Sequence, residues 1–405
     1  MSTDYSHSVH SSDFEPTGNY AYLREQCPVY HESTHEPPFY VLSRFDDVVD
    51  SLKHPRQWTN QDGPGVFYQD AGVLGTTDDP AHSRHRQVLR SAFLPGAIAR
   101  LEPRIAQLAD DFFDEIVPTG ETEFIESYAL PFPAIVIAEL LGVRAEDHDE
   151  FRRWSANAVN ALTGGDLDLY HQARTALGDH IDVGLAARDA MLDLATPAAR
   201  SDAIGSVVPA DVLSMMAVAR REGVLSPEEA RHIGYQLLVA GHETTTSLLG
   251  MMLYRLIEHP DVMARLRDES ELLAPAIEEA LRFDSPVHGL FRTNAQECEV
   301  HDTTIPVGSK MQMLFASANR DPSQFDCPDE FRIDRDAREL GRHVAFGWGI
   351  HHCIGAPLAR MEARVTFQRI LRRMGDIELT GPAVRNDSFV LHGLTRLPIR
   401  WRPLE

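Results

Sequence analysis

Phe346-Gly347-Trp348-Gly349-Ile350-His351-His352-Cys353-Ile354-Gly355 puts one cysteine in a glycine-rich loop. The loop runs directly into the helix-like stretch Ala356-Pro357-Leu358-Ala359-Arg360-Met361-Glu362-Ala363-Arg364-Val365. Gly347, Gly349 and Gly355 permit positive φ and let the backbone approach a flat cofactor closely. Proline is tolerated in a first helical turn, so Pro357 marks a helix start and not a break. Cys353 then lies just ahead of a helix N-terminus, whose partial positive charge and amide N–H groups favour thiolate over thiol. A lone anionic sulfur so placed is suited to ligate haem iron axially. Taken by itself, the cysteine reads first as an inert side chain, because free Cys is among the most buried residue types.

Two other stretches bear on that choice. Ser226-Pro227-Glu228-Glu229 supplies an N-cap, a first-turn proline and a capping-box glutamate, and His259-Pro260 supplies a stop. A helix of about thirty residues at roughly 1.5 Å each would cross most of a domain. Its middle, Leu237-Leu238-Val239-Ala240, is apolar and turns abruptly into Gly241-His242-Glu243-Thr244-Thr245. Glycine and threonine are poor helix formers. Their presence suits either a small-residue crossing with hydroxyls bonded back to the preceding turn, or a helix locally opened beside a cofactor. The other stretch is Glu279-Ala280-Leu281-Arg282, an i,i+3 acid–base pair in the helical run from Ala276 to Phe283. As a bare pattern such a pair is usually a solvated surface ion pair.

Together these segments resemble the cytochrome P450 superfamily. The cysteine loop meets every fixed position of the bacterial haem-binding pattern Phe-Gly-x-Gly-x-His-x-Cys-x-Gly, and Ala240-Gly241-His242-Glu243-Thr244-Thr245 matches the family's Ala/Gly-Gly-x-Asp/Glu-Thr-Thr/Ser pattern. Glu279 and Arg282 match its Glu-x-x-Arg pair, and Arg335 resembles the third member of that buried network. The resemblance covers nearly the whole chain after Pro37. It implies a mainly α, triangular prism-like single domain with a small β region over residues 16–405, preceded by a disordered tail over 1–15.

The implied cofactor is haem b with Cys353 as axial thiolate, flanked by Phe346, Gly347, Ala240 and Gly241. Asp78-Asp79-Pro80-Ala81-His82-Ser83-Arg84-His85-Arg86 resembles the family's His-x-x-x-Arg, which assigns His82 and Arg86 to the haem propionates, with Arg292 and His351 at the other two matching positions. The implied reaction is monooxygenation, inserting one atom of O2 into a hydrophobic small molecule. Thiolate donation favours O–O cleavage. Glu243 relays protons, and the Thr244 hydroxyl hydrogen-bonds the oxygen being activated and its waters. By analogy the substrate pocket is walled by Phe67, Tyr68, Gln236, Val239, Ala240, Val287, His288, Gly289, Leu290 and Leu394. An apolar face with few polar points suits a terpenoid, steroid, fatty acid or polyketide. Two other classes stand beside this reading: a peroxide-driven haem-thiolate enzyme and a non-catalytic haem or small-molecule binder.

Composition sets outer limits. The chain has 405 residues, 43% of them hydrophobic, enough for a large core. No apolar run has the length of a membrane span, and the first residues lack the basic and apolar regions of a signal peptide, so a cytoplasmic protein without a membrane anchor is expected, as a monomer. Net charge is −23, from 38 basic and 61 acidic residues, which argues against nucleic acid. Cys27, Cys298, Cys327 and Cys353 show no Cys-x-x-Cys spacing, which leaves no iron–sulfur, zinc-ribbon or disulfide framework. Adjacent residues rarely point at one ion, so His351-His352-Cys353 with His343 does not read as a zinc site. Without a cluster segment or a dinucleotide fingerprint, electrons are expected from a separate ferredoxin and its reductase. Arg84, Arg86 and Arg90, with Arg360, Arg364, Arg369, Arg372 and Arg373, would form a basic docking face for it. Phe39 to Ser43 reads as a strand, Asp62 to Tyr68 as a mobile loop, Ala195 to Pro209 as an interhelical loop, and Lys310 to Phe315 as a strand.

Overall fold

The buried helix anticipated between Ser226 and His259 organises the molecule. Among the described residues it is the eighth of the helices of eight residues or more, which are α1 (Thr17–Gln26), α2 (Phe45–Lys53), α3 (Ala81–Phe93), α4 (Pro95–Ile116), α5 (Pro131–Leu141), α6 (Leu167–Asp193), α7 (Val212–Arg221), α8 (Pro227–Glu258), α9 (Pro260–Asp268), α10 (Leu273–Phe283) and α11 (Ala356–Arg373). The structure is a computed structural model. It describes residues 17–68, 72–144, 167–194, 203–386, 388 and 390–404, with single positions between 147 and 157. The proposed tail at 1–15 and the first part of the 195–209 loop lie outside the described residues.

Helix α8 begins where its sequence says it should. The Ser226 hydroxyl accepts from the Glu229 amide at 3.0 Å, and the Glu229 carboxylate accepts from the Ser226 amide at 2.8 Å, a reciprocal capping box. Its 32 residues are apolar on several sides because α5, α6, α7, α10 and α11 all pack around it. Close crossings explain its glycines. A Cβ on Gly234 would sit 2.9 Å from Ile181 of α6, one on Gly241 would sit 2.9 Å from Ile137 of α5, and one on Gly250 would sit 2.8 Å from Ile125.

The β structure lies to one side. Strands β1 (Val29–Glu32), β2 (Phe39–Leu42), β3 (Trp58–Thr59), β5 (Leu290–Asn294) and β8 (Lys310–Met313) form a sheet ordered β1-β2-β8-β5-β3, in which only β2 and β8 run parallel. Strand β4 (Glu121–Glu123) pairs with β12 (Pro398–Pro403), which pairs with β9 (Met374–Leu379). Two small hairpins complete the set, β6 (Cys298–Val300) with β7 (Thr303–Ile305) and β10 (Val384–Arg385) with β11 (Leu394–Arg396).

Two local expectations change. The strand proposed from Lys310 stops at Met313, because Phe315 opens a short helical turn. The segment from Asp62 to Tyr68 is fastened and not free. The buried Lys310 ammonium donates to Asp62 O at 2.7 Å and to Gly63 O at 3.1 Å, and the Phe291 amide donates to Pro64 O at 2.8 Å.

The Glu279–Arg282–Arg335 network is present and fully buried. Arg282 donates to Glu279 through Nε at 2.7 Å and Nη2 at 2.8 Å, and Arg335 Nε donates to the same carboxylate at 3.0 Å. Remaining guanidinium N–H groups go to carbonyls of Asn319, Pro328, Glu330, Cys327 and Asp326, and Arg335 Nη1 also donates to the Glu339 carboxylate at 2.9 Å. Removing the Glu279 carboxylate strands the buried Arg282 cation, while Arg335 keeps Glu339. Glu279→Gln is expected to lower unfolding free energy by ~3 kcal/mol or more, read from urea denaturation; wild-type stability in this variant would contradict the account.

Candidate active site

The cysteine loop is shaped by glycine. Gly347 and Gly349 take φ values of 68° and 70°, the left-handed region where a side chain is strained. A Cβ on Gly349 would also press to 2.8 Å from Leu52 O. The Cys353 amide donates to Phe346 O at 2.9 Å, closing the loop, and α11 starts three residues later with Pro357 in its first turn. Cys353 keeps accessible surface although densely surrounded, as a side chain lining an internal recess does. Burial pushes its thiol up; the amides of Gly355 and Ala356 and the guanidinium of Arg86 pull the other way. Those same donors are available to stabilise a thiolate once a cation sits opposite it.

A second brace escaped the sequence reading. Glu278 accepts from Arg360 Nε at 2.6 Å and Nη2 at 2.8 Å, and also from His343 Nε2 at 3.0 Å. The Arg360 guanidinium lies 4.5 Å from the Phe346 ring centre. Glu278 adjoins Glu279 in sequence, and nothing local distinguishes it from a solvated helix acid.

The four positions assigned to carboxylate recognition come together. His82 on α3 and His351 on the cysteine loop stand with ring centroids 4.1 Å apart, and Arg86 and Arg292 both act on His351 electrostatically. Burial, followed by the charges of His351 and Arg86, depresses His82 to about 4. Burial also lowers Arg292 to about 10. His351 Nε2 pairs with Asp78 Oδ1 at 3.2 Å, and Arg292 is anchored by Asn60. Burial alone would raise Asp78, but bonds from His351 and Thr59 hold it below its ordinary value. Both His82 Nδ1 and His351 Nδ1 are buried without a hydrogen-bond partner among the described residues. The buried Arg292 guanidinium, the partly buried Arg86 and two imidazole nitrogens without hydrogen bonds make a niche for anionic oxygen. Asp78 and Asn60 were missed because their partners are remote in sequence.

On α8 the expectation of a locally opened helix fails. The α-helix is unbroken from Pro227 to Glu258, and the hydroxyls of Thr244, Thr245 and Thr246 donate to the carbonyls of Ala240, Gly241 and His242 at 2.9, 3.2 and 3.1 Å. Ala240 is exposed midway along this otherwise sunken helix, and Thr244 follows one turn on along the same face. Burial pushes the Glu243 carboxyl up to about 7.

Of the proposed pocket walls, Gln236, Val239, Val287 and Leu290 are partly accessible, and Leu394 is buried beside Gly250. Four positions require correction. Tyr68 turns onto the sheet, donating to Gly308 O at 2.6 Å with its ring over Lys310, and Phe67 is 60% exposed. His288 is buried, its Nδ1 3.2 Å from the Tyr20 hydroxyl and its ring stacked on His392. A Cβ on Gly289 would lie 2.5 Å from Met313 O, so this backbone packs on β8.

Most arginines of the expected basic docking face are paired within the chain. Arg84, Arg360, Arg364, Arg369 and Arg373 pair with Glu229, Glu278, Glu102, Asp110 and Asp114 of the same chain. Arg86 donates to His352 O at 2.9 Å, which leaves Arg90 and Arg372 exposed. Among the described residues no group of His, Cys, Asp and Glu side chains could hold a metal ion between them. A polar cavity of about 290 Å³ between α6 and α8, lined by His171, Arg174, His232 and Tyr235, shares no residue with the site.

The family model for cytochrome P450 matches residues 11–375. Cytochrome P450 107B1 of Saccharopolyspora erythraea is 33% identical over 404 residues, covering 94% of each chain. A vitamin D(3) 25-hydroxylase of Pseudonocardia autotrophica is 32% identical over 413 residues, covering 98% of this chain and 97% of that protein. Among solved structures, the P450 enzyme CxnD, which forms a C–S bond in chuangxinmycin biosynthesis, superposes with a TM-score of 0.85 at 29% identity over the whole of both chains. The family implies haem on a cysteine thiolate, and the residues fit it: a framed sulfur on one side and a buried cationic niche for carboxylates on the other. Cys353 would hold the metal, and His82, Arg86, Arg292 and His351 the propionates. Arg292→Leu is expected to speed haem loss to apomyoglobin by about tenfold or more, the effect of losing a buried charge-assisted bond; an unchanged rate would remove Arg292 from the haem site.

Proposed function

The chain belongs to the cytochrome P450 family and is a monooxygenase of it, and on that premise we propose that it hydroxylates a hydrophobic small molecule using electrons from a separate ferredoxin and its reductase. The observation carrying the oxygen-activating part is the succession of Glu243 and Thr244 one turn after exposed Ala240, midway along α8. Haem on Cys353 supplies activation of dioxygen, with the thiolate's electron donation favouring O–O cleavage.

The protein's part is to place protons and substrate. Thr244 commits its hydroxyl proton to Ala240 O at 2.9 Å, so Oγ1 presents lone pairs and accepts from an acid or a water beside it. Glu243, the residue before it in the chain, is the acid assigned to supply the proton, through water because neighbouring side chains on a helix do not face each other. With its carboxyl at about 7, both protonation states are populated near neutrality, the condition for taking a proton from solvent and passing it inward. The acid form predominates below about 7 and is lost above it, so proton delivery weakens on the alkaline side.

Val239, Ala240, Val287 and Leu290 offer apolar surface, and Gln236 is the polar point among them. That balance suits a lipid-like molecule with few oxygens, in keeping with the vitamin D relative. The electron source is external because the sequence has no cysteine cluster. Its docking rests on Arg90 and Arg372 more than on the paired arginines, so a weakly salt-dependent association is expected.

Two outcomes test the proton path. Thr244→Ala should divert most reducing equivalents to hydrogen peroxide, measured as peroxide formed per NAD(P)H oxidised; unchanged coupling would remove the hydroxyl from the path. Glu243→Gln should slow turnover by about tenfold to a hundredfold and abolish the alkaline decline in rate. A variant keeping the wild-type pH profile would show that another group delivers the proton.

A further inference from the structure

Residues 72–77 form a tight turn in which Leu74 takes a φ of 47°, a left-handed conformation costly for a leucine. Something must hold it there, and two successive amides show what does. Leu74 N–H donates to His85 Nδ1 on α3 at 3.3 Å, and Gly75 N–H donates to Gln236 Oε1 on α8 at 3.1 Å. Gln236 and Ala240 are four residues apart and share one helix face. The turn is therefore tied down over the α8 face one helical turn before Ala240.

His85 can accept from Leu74 only through an unprotonated Nδ1. The tautomer is set from the other side of the ring, where Nε2 lies 3.1 Å from Glu229 Oε1 and donates its N–H to the carboxylate. Glu229 is itself immobilised by Arg84, through Nη1 at 3.0 Å and Nη2 at 2.5 Å, and by the Ser226 amide that it caps. The imidazole is 1% exposed, so no water substitutes readily for either bond.

We propose that His85 is a positioning residue, one whose neutral, Glu229-oriented imidazole fastens the 72–77 turn over the substrate side of α8 and so limits the size and exchange rate of what enters. The proposal rests on the reading that the Ala240 face is the substrate side. Neither the cysteine loop nor the propionate niche requires this bond, although His82 and Arg86 lie on the same helix. Burial holds the His85 imidazole below its ordinary value, with Glu229 opposing and Arg84 assisting. The charged groups facing the ring are Glu229 on α8 and Arg84 on α3, and the 72–77 segment contributes none. Acidification that protonates Nδ1 sets two donors against each other and releases the turn.

The test uses full-length ferric holoprotein, with amide hydrogen exchange over residues 72–77 and two haem-ligating probes, imidazole and the bulky azole clotrimazole. In His85→Leu, protection of the turn should fall and clotrimazole dissociation should quicken, each by about tenfold, with imidazole affinity changed less than about twofold. His85→Asn, whose side-chain oxygen can take the place of Nδ1, should restore both. Wild-type protection, corrected for intrinsic exchange, should drop as acidification passes below the ordinary imidazole range, which decides the matter even if His85→Leu does not fold. Unchanged protection in a folded His85→Leu, or lost protection with unchanged clotrimazole dissociation, overturns the proposal. Absence of any azole shift in wild-type protein would instead sink the haem reading, while the exchange experiment would still decide the turn.

Discussion

The buried carboxylate of Glu279 is the constraint on which the site depends. It is shared by Arg282 and Arg335, and through them α10 is tied to the segment that leads into the cysteine loop. Arg282 also donates to Asn319 O at 2.8 Å, and Asn319 Oδ1 accepts from the Val344 amide at 2.7 Å, two residues before Phe346. One residue earlier in α10, Glu278 reaches Arg360 on α11 and His343 on the loop's approach. Two neighbouring acids thus hold both ends of the loop that presents Cys353. A buried ion pair is weak evidence for net stability, since well-packed apolar groups can do as well. Here it confers a fixed geometry, because each guanidinium distributes its donors over several carbonyls and can satisfy them in one arrangement only.

On the other side of the site, α8 supplies a rigid floor. Its glycines admit α5 and α6 closely, and its threonine hydroxyls are satisfied within the helix. No break in the backbone is needed to place Glu243 and Thr244, because an unbroken helix with Ala240 exposed already carries Thr244 one turn on along the same face. The carboxyl of Glu243 rises because it is desolvated without a cationic partner, whereas Glu279 is paired with Arg282 and Arg335. Two buried acids in one core are thus held to different purposes by whether an arginine accompanies them.

What was legible in the sequence was what is local or densely framed. The ends of α8 could be read because capping chemistry acts within four residues, and the cysteine loop because many fixed positions fall within ten. Features set by tertiary contact were not legible. Tyr68 and His288 were placed in the pocket, but Gly308 and Lys310 draw one away and Tyr20 and His392 hold the other. The arginines of α11 looked like a docking face because Glu102, Asp110 and Asp114 reach them only when α4 packs on α11. The threonines after Gly241 supported two readings, and the hydroxyl bonds decided for the simpler one.

The central claim is that Cys353 presents a thiolate to haem iron in a loop held by Glu278 and Glu279. The most direct measurement is the absorption spectrum of the purified protein after reduction and exposure to carbon monoxide, whose Soret position reports the axial ligand. The account predicts a band strongly red-shifted from that of histidine-ligated haem, lost in Cys353→Ala. A band at the histidine-type position in freshly prepared protein, or well-folded protein that takes up no haem when supplied with it, would contradict it.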